Sequence, residues 1–198
     1  ETWTREIGGR THFGHVKLRI WPLTDGTDCE FRNQVPEDVI PADFIRPVEL
    51  GVREAMERGI LAGYPMLGVG VALWGGSAHE VDSSEMAFKV AGSLAYQEAA
   101  RKARPALLEP LMEVEVVTPE EHMGDVIADL NRRRGRIVSM EPRAGFQVVT
   151  AYVPLAEMFG YATDVRSVSQ GRATYTMQFD HDDEVPRSQA EQIVARAR

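Results

Sequence analysis

The sequence predicts an α+β protein of two domains, each with one sheet and packed helices. Three observations support this prediction. The second half of the chain shows a regular order of strands and helices, the first half is less regular, and Arg104 and Pro105 end a long helix between them. Because proline cannot continue a helix and its predecessor favours extended backbone, the boundary is expected near residue 108. The predicted domains are therefore residues 1–108 and 109–198.

The second domain is predicted to open with a strand and a helix. Residues 110–117 alternate apolar and acidic side chains, which is the pattern of a strand with one buried face. Thr118 and Pro119, followed by two glutamates, have the composition of a helix start with threonine as the N-cap. An apolar stripe follows, and Gly135 is expected to end this helix. These residues predict the first strand and helix of the domain.

The rest of the second domain repeats this pattern. Strands are predicted over residues 137–140 and 146–153. Apolar residues then recur at helical spacing between Pro154 and Gly171, and alternation over residues 173–179 indicates a last strand. The order βαββαβ is that of the ferredoxin-like unit, a four-stranded antiparallel sheet with both helices on one face.

The first domain is predicted from its strands and two long helices. Residues 16–20 alternate apolar and basic side chains, which indicates a strand with a basic outer face. Residues 29–33 are expected to be its hairpin partner, across a turn at residues 24–26. The remaining predicted elements are a helix over about 43–58, a strand over 69–73, a helix over about 83–103 and, at the end of the second domain, a helix or tail from about 186.

The distribution of charge matters more than its sum. The net charge of −8 argues against a protein that covers nucleic acid with its whole surface. Basic residues are nevertheless concentrated locally, because five arginines stand against one glutamate in residues 132–143, and four lysines and arginines against one glutamate in residues 5–19. Such regions on an acidic body fit a protein that contacts RNA at a few points. The alternative is solvated arginines that have no partner.

Several function classes leave no signature in the sequence. There is no G-x-x-x-x-G-K-[ST] phosphate loop, no Gly-x-Ser-x-Gly elbow and no His-x-x-x-His pair. A single cysteine, Cys29, excludes an internal disulfide and a multi-cysteine zinc site. No apolar run reaches the roughly 18 residues that cross a bilayer. We therefore expect no metal, no cofactor in this chain, no membrane contact, a cytoplasmic location and a monomer.

The cluster most like an enzyme site is His79, Glu80 and Asp82. These side chains could hold a metal or perform acid–base chemistry. The favoured interpretation is structural for Asp82, which is expected to be the N-cap of the following helix, with Glu85 completing a capping box. His79 lies in a glycine-rich loop where little packing could hold a core histidine. It is therefore expected to be either a contact residue or a residue without a role.

Two basic segments have both a binding and a structural interpretation. Gly8 and Gly9 allow close backbone approach, and Arg10 beside them offers donors suited to phosphate or a guanine edge. A simple hairpin turn is the alternative there. The arginines of residues 132–134 lie at a predicted helix C-terminus, where the helix dipole favours positive charge without any ligand.

Several ungapped blocks resemble elongation factor G, the bacterial translocation GTPase, and they occur in the family's order over nearly the whole chain. The matching blocks are Gly8–Arg10, Gly14–Val16, His79–Lys89, Gly124–Ile127, Arg133–Gly135, Met140–Arg143 and the stretch from Pro154 to Arg172. The resemblance implies that residues 1 to about 108 form domain IV, a ribosomal-protein-like α/β domain with a left-handed βαβ crossover. It also implies that the ferredoxin-like part is domain V. The chain does not start with methionine, and domains I to III, with the site for GTP and Mg²⁺, are expected upstream.

The resemblance further implies a mechanical role in which neither domain makes or breaks a bond. In the family, the tip of domain IV enters the decoding region of the small subunit and stabilises tRNA on mRNA as both advance by one codon. Domain V lies near the stalk base and the sarcin–ricin loop of the large subunit. The residues expected in the two tip loops are Gly8, Gly9, Arg10, Thr11 and His12, and Ser77, Ala78, His79, Glu80, Val81, Asp82 and Ser83. The rRNA contacts expected in domain V are Arg132, Arg133, Arg134, Arg136 and Arg143.

The sequence departs from the family in or beside the expected tip loops. Thr11-His12-Phe13 stands where the family usually has Gly-Gln-Tyr, and residues 75–78 stand where it has Asp-Gly-Ser-Tyr. The change at Ala78 removes an aromatic ring that could stack on RNA, and His12 could replace some of the lost donors. The alternative to a translocation factor is therefore a paralogue that acts in ribosome recycling or translocates weakly.

Overall fold

The structure, a computed structural model, describes residues 2–7, 10–24 and 28–197, with side chains for residues 4–5, 11–24 and 28–197. These residues form two compact units, Glu1–Pro105 with Ser188–Arg198, and Ala106–Arg187. The sequence predicts domains of residues 1–108 and 109–198. In the structure the division falls between Pro105 and Ala106, and the last residues of the chain are grouped with the first unit.

The first unit contains a four-stranded sheet with two long helices. Its strands are in the order β1-β2-β4-β3, in which β1 and β4 are antiparallel to β2 while β3 is parallel to β4. The elements are β1 (Thr2–Ile7), β2 (Arg10–Pro22), β3 (Cys29–Asn33), α1 (Ala42–Arg58), β4 (Val69–Ser77) and α2 (Glu85–Lys102).

The core of the first unit lies between the sheet and the two helices. Apolar residues at alternate positions of β2 and β4, such as Val16 and Val71, are buried there. The rings of Phe44 in α1 and Phe88 in α2 stack with centroids 4.6 Å apart. The two helices approach closely at Gly51, where a Cβ atom would come within 1.9 Å of a backbone oxygen of α2. Any side chain at this position would therefore push the helices apart.

The predicted hairpin between β2 and residues 29–33 is wrong. Strand β3 occupies these residues but pairs with β4, in parallel, with Phe31 opposite Val71. Both edges of β2 are already taken, one by β1 and the other by β4, so β3 cannot pair with β2 and instead lies along the outer edge of β4. The turn predicted at residues 24–26 falls mostly outside the described residues. Helix α1 connects β3 to β4 as a βαβ unit, and the left-handedness of this crossover remains a prediction.

The second unit has the predicted ferredoxin-like topology. Its four strands are antiparallel and lie in the order β6-β7-β5-β8, and Val114, Val149 and Val165 are among the residues of its core. The elements are β5 (Leu108–Thr118), α3 (Glu120–Arg132), β6 (Arg136–Arg143), β7 (Phe146–Pro154), a 3-10 helix (Leu155–Glu157), α4 (Tyr161–Val168) and β8 (Thr174–Glu184). The chain then continues into α5 (Arg187–Arg196), all but the first residue of which is grouped with the first unit.

Two helix starts in the second unit differ from the prediction. Thr118 ends β5, opposite Gln147, and makes no capping hydrogen bond, so α3 begins one position later than expected, at Glu120. The helix predicted from Pro154 is interrupted, because Gly160 adopts a left-handed φ of +79° between the 3-10 helix and α4. The predicted apolar stripe is broken there, and the side chain of Phe159 is exposed.

Candidate functional site

The two predicted tip loops lie side by side in the first unit. Phe13 of β2 forms an isolated parallel bridge with Ser83, and its N–H donates a 2.7 Å hydrogen bond to the carbonyl of Asp82. His15 and Ser77 face each other in the β2–β4 ladder. Gly8 and Gly9 lie outside the described residues, and only the backbone of Arg10 is described. The other residues predicted for the two loops, 11–12 and 77–83, are described, and the contacts of Phe13 with Asp82 and Ser83 hold the two loops next to each other.

His79 is held against this surface from one side. Its imidazole ring stacks on Phe13, with ring centroids 3.9 Å apart and an angle of 11° between the planes. Its backbone N–H donates to the Ser83 hydroxyl at 2.8 Å, and the Ser83 N–H returns a hydrogen bond to the His79 carbonyl. The side chain remains 55% exposed, and its Nδ1 lies 4.0 Å from the Asp82 carboxylate. The ring is therefore fixed in orientation while part of it faces solvent.

Ser84, and not Asp82, is the N-cap of α2. The Ser84 hydroxyl accepts a hydrogen bond from the Ala87 N–H at 3.2 Å, and its backbone has the extended conformation usual at this position. The predicted cap at Asp82 is wrong because Ser83 still pairs with β2, and the helix can begin only after that bridge. The Asp82 carboxylate is left beside His79.

His12 joins the two loops to the helix start. Its Nδ1 lies 2.9 Å from the Ser84 hydroxyl that caps α2. The same hydroxyl accepts a hydrogen bond from the Ala87 N–H, so one oxygen contacts both the helix start and the His12 ring. The strand lies directly against the helix at Gly14, where a Cβ atom would come within 2.7 Å of the Ala87 backbone. Small size at residue 14 is therefore required.

His15 connects β2 to β4 at the base of the two loops. Its Nδ1 lies 2.9 Å from the Ser77 hydroxyl, across the β2–β4 pair. Burial, assisted by nearby positive charge that includes Lys17, lowers the pKa of His15 below its usual value, so this ring stays neutral near pH 7. Sequence reasoning did not assign roles to Phe13, His15 or Ser84. Strand alternation along β2 was the signal that could have found the first two.

The middle of the second loop is exposed, whereas its beginning is packed. Val81 is 90% exposed and Glu80 is also exposed. Ala78 packs against the core of the first unit, so the small side chain at this departure from the family lies along the protein rather than in solvent. Within the described residues, no group of three or more His, Cys, Asp or Glu is arranged to hold a metal ion.

Arg133 in the second unit is taken up by internal contacts. Its guanidinium pairs with the carboxylates of Asp129 and Asp164 and also donates to the Glu157 carbonyl. It lies 5.0 Å from the centre of the Tyr161 ring. The side chain is almost fully buried and holds α3, α4 and the segment between β7 and α4 together.

Arg134 is also committed within the second unit. Its guanidinium binds both oxygens of the Glu109 carboxylate, at 2.8 and 2.7 Å, and reaches Glu157 at 3.0 Å. Its backbone has a left-handed φ of +60°, so Arg134 rather than Gly135 is the residue that turns the chain out of α3. Both arginines have structural functions that the sequence pattern did not reveal.

The other three arginines of the predicted rRNA set are more accessible. Arg132 and Arg143 have exposed side chains, although Arg132 pairs with Asp129 and Arg143 lies 3.6 Å from Glu115. Arg136 is also exposed and lies over the ring of Tyr152, 5.5 Å from its centre. The side chains of these three residues are exposed as a whole, and their contact with RNA remains a prediction. No helix among the described residues is both long and apolar enough to span a membrane.

Comparison with known protein families matches both units. Residues 1–104 match the family model described as "Elongation factor G, domain IV", and residues 106–193 match the model described as "Elongation factor G C-terminus". A crystal structure of a protein from Thermus thermophilus superposes with a TM-score of 0.85 at 39% sequence identity over 99% of this chain. The chain spans 29% of the length of that protein.

Proposed function

Since the chain belongs to the elongation factor G family through both of its units, we propose that it is the ribosome-contacting arm of a translation elongation factor that moves tRNA and mRNA. The observation that supports this proposal best is the joined pair of loops at Phe13 and Ser83, with His79 presented between them. The proposed partners are tRNA, mRNA and the decoding region of the small ribosomal subunit.

The loops hold His79 in a fixed orientation that suits a contact with RNA. The stack on Phe13 and the hydrogen bonds to Ser83 fix the orientation of His79 before any partner arrives. Such preorganisation reduces the ordering cost of binding. An exposed imidazole edge can donate a hydrogen bond to a phosphate or a ribose hydroxyl. His79 is therefore proposed as the main RNA-contacting side chain of the surface.

The chemical reaction is assigned to another part of the parent protein. In this proposal the parent is a ribosome-stimulated GTPase, with GTP and Mg²⁺ bound in a domain upstream of the two units. The arm makes and breaks no bond, and it acts as a cytoplasmic monomer apart from its ribosomal contacts. The second unit is proposed to contact the stalk base and the sarcin–ricin region through Arg132, Arg136 and Arg143, whose side chains face solvent.

A single substitution tests the role of His79. His79→Ala in the full-length parent is expected to slow single-turnover movement of mRNA on pre-translocation ribosomes, while ribosome-stimulated GTP hydrolysis stays nearly intact. The matched control is His181→Ala, which removes a partly exposed histidine of the second unit. Equal loss of movement and hydrolysis in His79→Ala would contradict the proposal, as would unchanged movement.

A recycling or weakly translocating paralogue is the second candidate function, favoured by the departures at Thr11-His12-Phe13 and Ala78. In that case the parent would not advance mRNA by one codon, but it would split ribosomes into subunits when recycling factor is added. Replacing Phe13 and Ala78 by tyrosine, the family's usual residue, would then be expected to restore movement. A full one-codon advance by the unaltered parent would dismiss this alternative.

A further inference from the structure

The sheet of the first unit has a second face, opposite the one on which α1 and α2 pack. In β2, Val16, Leu18 and Ile20 lie on the core side, so the residues between them lie on the opposite side. Lys17 and Arg19 are exposed there, and Trp21 follows at the next alternate position. This open face, defined by Lys17, Arg19, Trp21, Arg32 and Trp74, belongs to none of the contacts proposed above.

A β-bulge aims Trp74 outward from this face. Lys17 pairs with Gly75 and Leu18 pairs with Leu73, which leaves Trp74 of β4 without an opposite residue. Its side chain is 46% exposed. The Nζ of Lys17 and the guanidinium carbon of Arg19 lie 5.6 and 5.7 Å from the ring centre. The Trp74 ring is thus partly exposed to solvent, and the cationic groups of Lys17 and Arg19 both lie close to it.

A second aromatic ring lies further along the same face. The ring of Trp21 covers Gly70, where a Cβ atom would come within 2.2 Å of the indole. The guanidinium of Arg32 lies 5.3 Å from this ring and is itself paired with both carboxylate oxygens of Glu30. Among the described residues, neither Lys17 nor Arg19 has a carboxylate within 4.0 Å. The face therefore carries net positive charge on a chain whose total is −8.

We propose that this open face binds single-stranded RNA. Surfaces that bind single strands combine cations that follow the phosphates with aromatic rings on which successive bases stack. Trp74 and Trp21 supply the rings, and Lys17, Arg19 and Arg32 supply the cations. The face differs in this respect from the loop surface around His79, which has a single stacked pair and no described lysine or arginine side chain.

Charge argues against a second copy of the chain as the occupant. Two copies would bring together like-charged faces on bodies that each carry −8, and both effects oppose association. RNA has the opposite charge to the face and supplies planar bases. The odd-numbered residues of β2 also include His15 and Phe13, so by strand alternation the open face continues toward the two loops. A strand bound at the loops can therefore extend along β2.

The test uses the 198-residue chain and a fluorescein-labelled oligoadenylate of about 8 nucleotides, within the roughly 4–16 that comparable grooves cover. Binding is followed by fluorescence anisotropy at several salt concentrations. Trp74→Ala is expected to weaken binding roughly 5- to 150-fold, and Trp74→Phe to retain most of it. Lys17→Ala and Arg19→Ala are each expected to reduce the salt dependence, the slope of log K against log salt, by about 0.7.

The matched control is Tyr64→Ala, because Tyr64 is 58% exposed in the loop after α1 and lies outside the open face. Absence of binding by the unaltered chain, equal binding by Trp74→Ala, or equal weakening by Tyr64→Ala would overturn the proposal. Sedimentation showing a dimer that protects Trp74 from quenching would identify a second copy as the occupant and would also overturn it. If Trp74→Ala does not fold, Trp74→Phe and the two cation variants decide the question. No ribosome is involved, so the outcome is independent of the proposed translocation function.

Discussion

Basic residues are arranged differently in the two units. In the second unit, Arg132, Arg133 and Arg134 are consecutive at the end of α3, and successive positions there point in different directions. Arg133 and Arg134 consequently reach carboxylates inside the unit. In the first unit, Lys17 and Arg19 alternate along β2 and share one solvent-facing side. The spacing of basic residues is therefore a better guide to a binding surface than their local number.

The two arrangements also differ in how they affect folding. A buried guanidinium that balances buried carboxylates is required by the fold, because removing it leaves charge without a partner. An exposed cation above an aromatic ring contributes little to stability, since solvent screens it. Substitutions of the buried arginines in the second unit should therefore reduce stability much more than substitutions of Lys17 or Arg19.

The largest effect is expected for Arg133→Ala. This variant leaves Asp129, whose side chain is 3% exposed, without its main buried partner, and we expect a loss of about 3–5 kcal/mol in the free energy of unfolding. Urea denaturation followed by circular dichroism measures it. Arg132→Ala is the matched control at the neighbouring arginine. Its side chain is 70% exposed and Arg133 still pairs with Asp129 in this variant, so the loss should be no more than about 1 kcal/mol. Equal losses of stability in Arg133→Ala and Arg132→Ala would show that burial of the arginine does not determine its contribution to folding.

A smaller effect is expected at Arg134, where two contributions can be separated. Arg134→Ala loses the ion pairs with Glu109 and Glu157 and should cost about 1–3 kcal/mol. Arg134→Gly loses the same pairs but relieves the left-handed backbone, and should be more stable than the alanine variant by about 1 kcal/mol. Urea denaturation of both variants provides the measurement. If Arg134→Gly is no more stable than Arg134→Ala, the left-handed backbone at residue 134 does not affect the free energy of unfolding.

Buried tyrosines provide a pH-dependent comparison. The hydroxyls of Tyr96 in the first unit and Tyr161 in the second have no hydrogen-bond partner among the described residues. Burial raises the pKa of Tyr96 from 10.0 to about 12 and raises that of Tyr161 as well. The unfolded chain therefore loses the Tyr96 proton first, and the stabilisation present below pH 10 is lost as pH rises toward 12.

Tyr96→Phe isolates this contribution. Between pH 9 and pH 11 the unaltered chain should lose about 1.4 kcal/mol more stability than the variant. Urea denaturation at the two pH values measures the difference, and Tyr64→Phe, at an exposed tyrosine, is the control. An identical decline in Tyr96→Phe and in the unaltered chain would show that the hydroxyl reaches solvent.

The smallest effect is expected for Lys17→Ala and Arg19→Ala. Both side chains are exposed and lie over the Trp74 ring, and neither has a carboxylate within 4.0 Å among the described residues. The free energy of unfolding should therefore change by no more than about 0.5 kcal/mol. Thermal and urea denaturation would detect a larger change. A loss near that of Arg133→Ala would mean that the cations hold the sheet together, and it would weaken the distinction between the two arrangements.

Sequence patterns predicted the kinds of elements well because these depend on local periodicity. The whole βαββαβ order of the second unit follows from alternation in the strands and from the apolar stripes of α3 and α4. Alternation cannot specify which strand is the neighbour, since pairing depends on contacts distant in sequence. For this reason β3 was assigned to β2, the strand nearest in sequence, although its partner is β4.

Local signals also failed where a distant contact intervenes. Asp82 is a residue type that often caps helices, but the bridge from Phe13 to Ser83 moves the N-cap to Ser84, and α2 begins at Glu85. The arginine run fitted the helix dipole, yet only the fold shows that Asp129 and Asp164 enclose Arg133. The adjacency of the two loops followed from the family resemblance. The contacts that orient His79 required the structure.

The length of β2 has a mechanical consequence. The strand has 13 residues, roughly 40 Å, and it connects the loop surface to the far end of the first sheet. It is flanked by β1 along one edge and by β4 along the other. A force applied at the loops along the strand axis would load many ladder hydrogen bonds simultaneously, in shear, instead of opening them one after another like a zipper. Resistance to pulling should therefore be greatest in the direction in which the strand points.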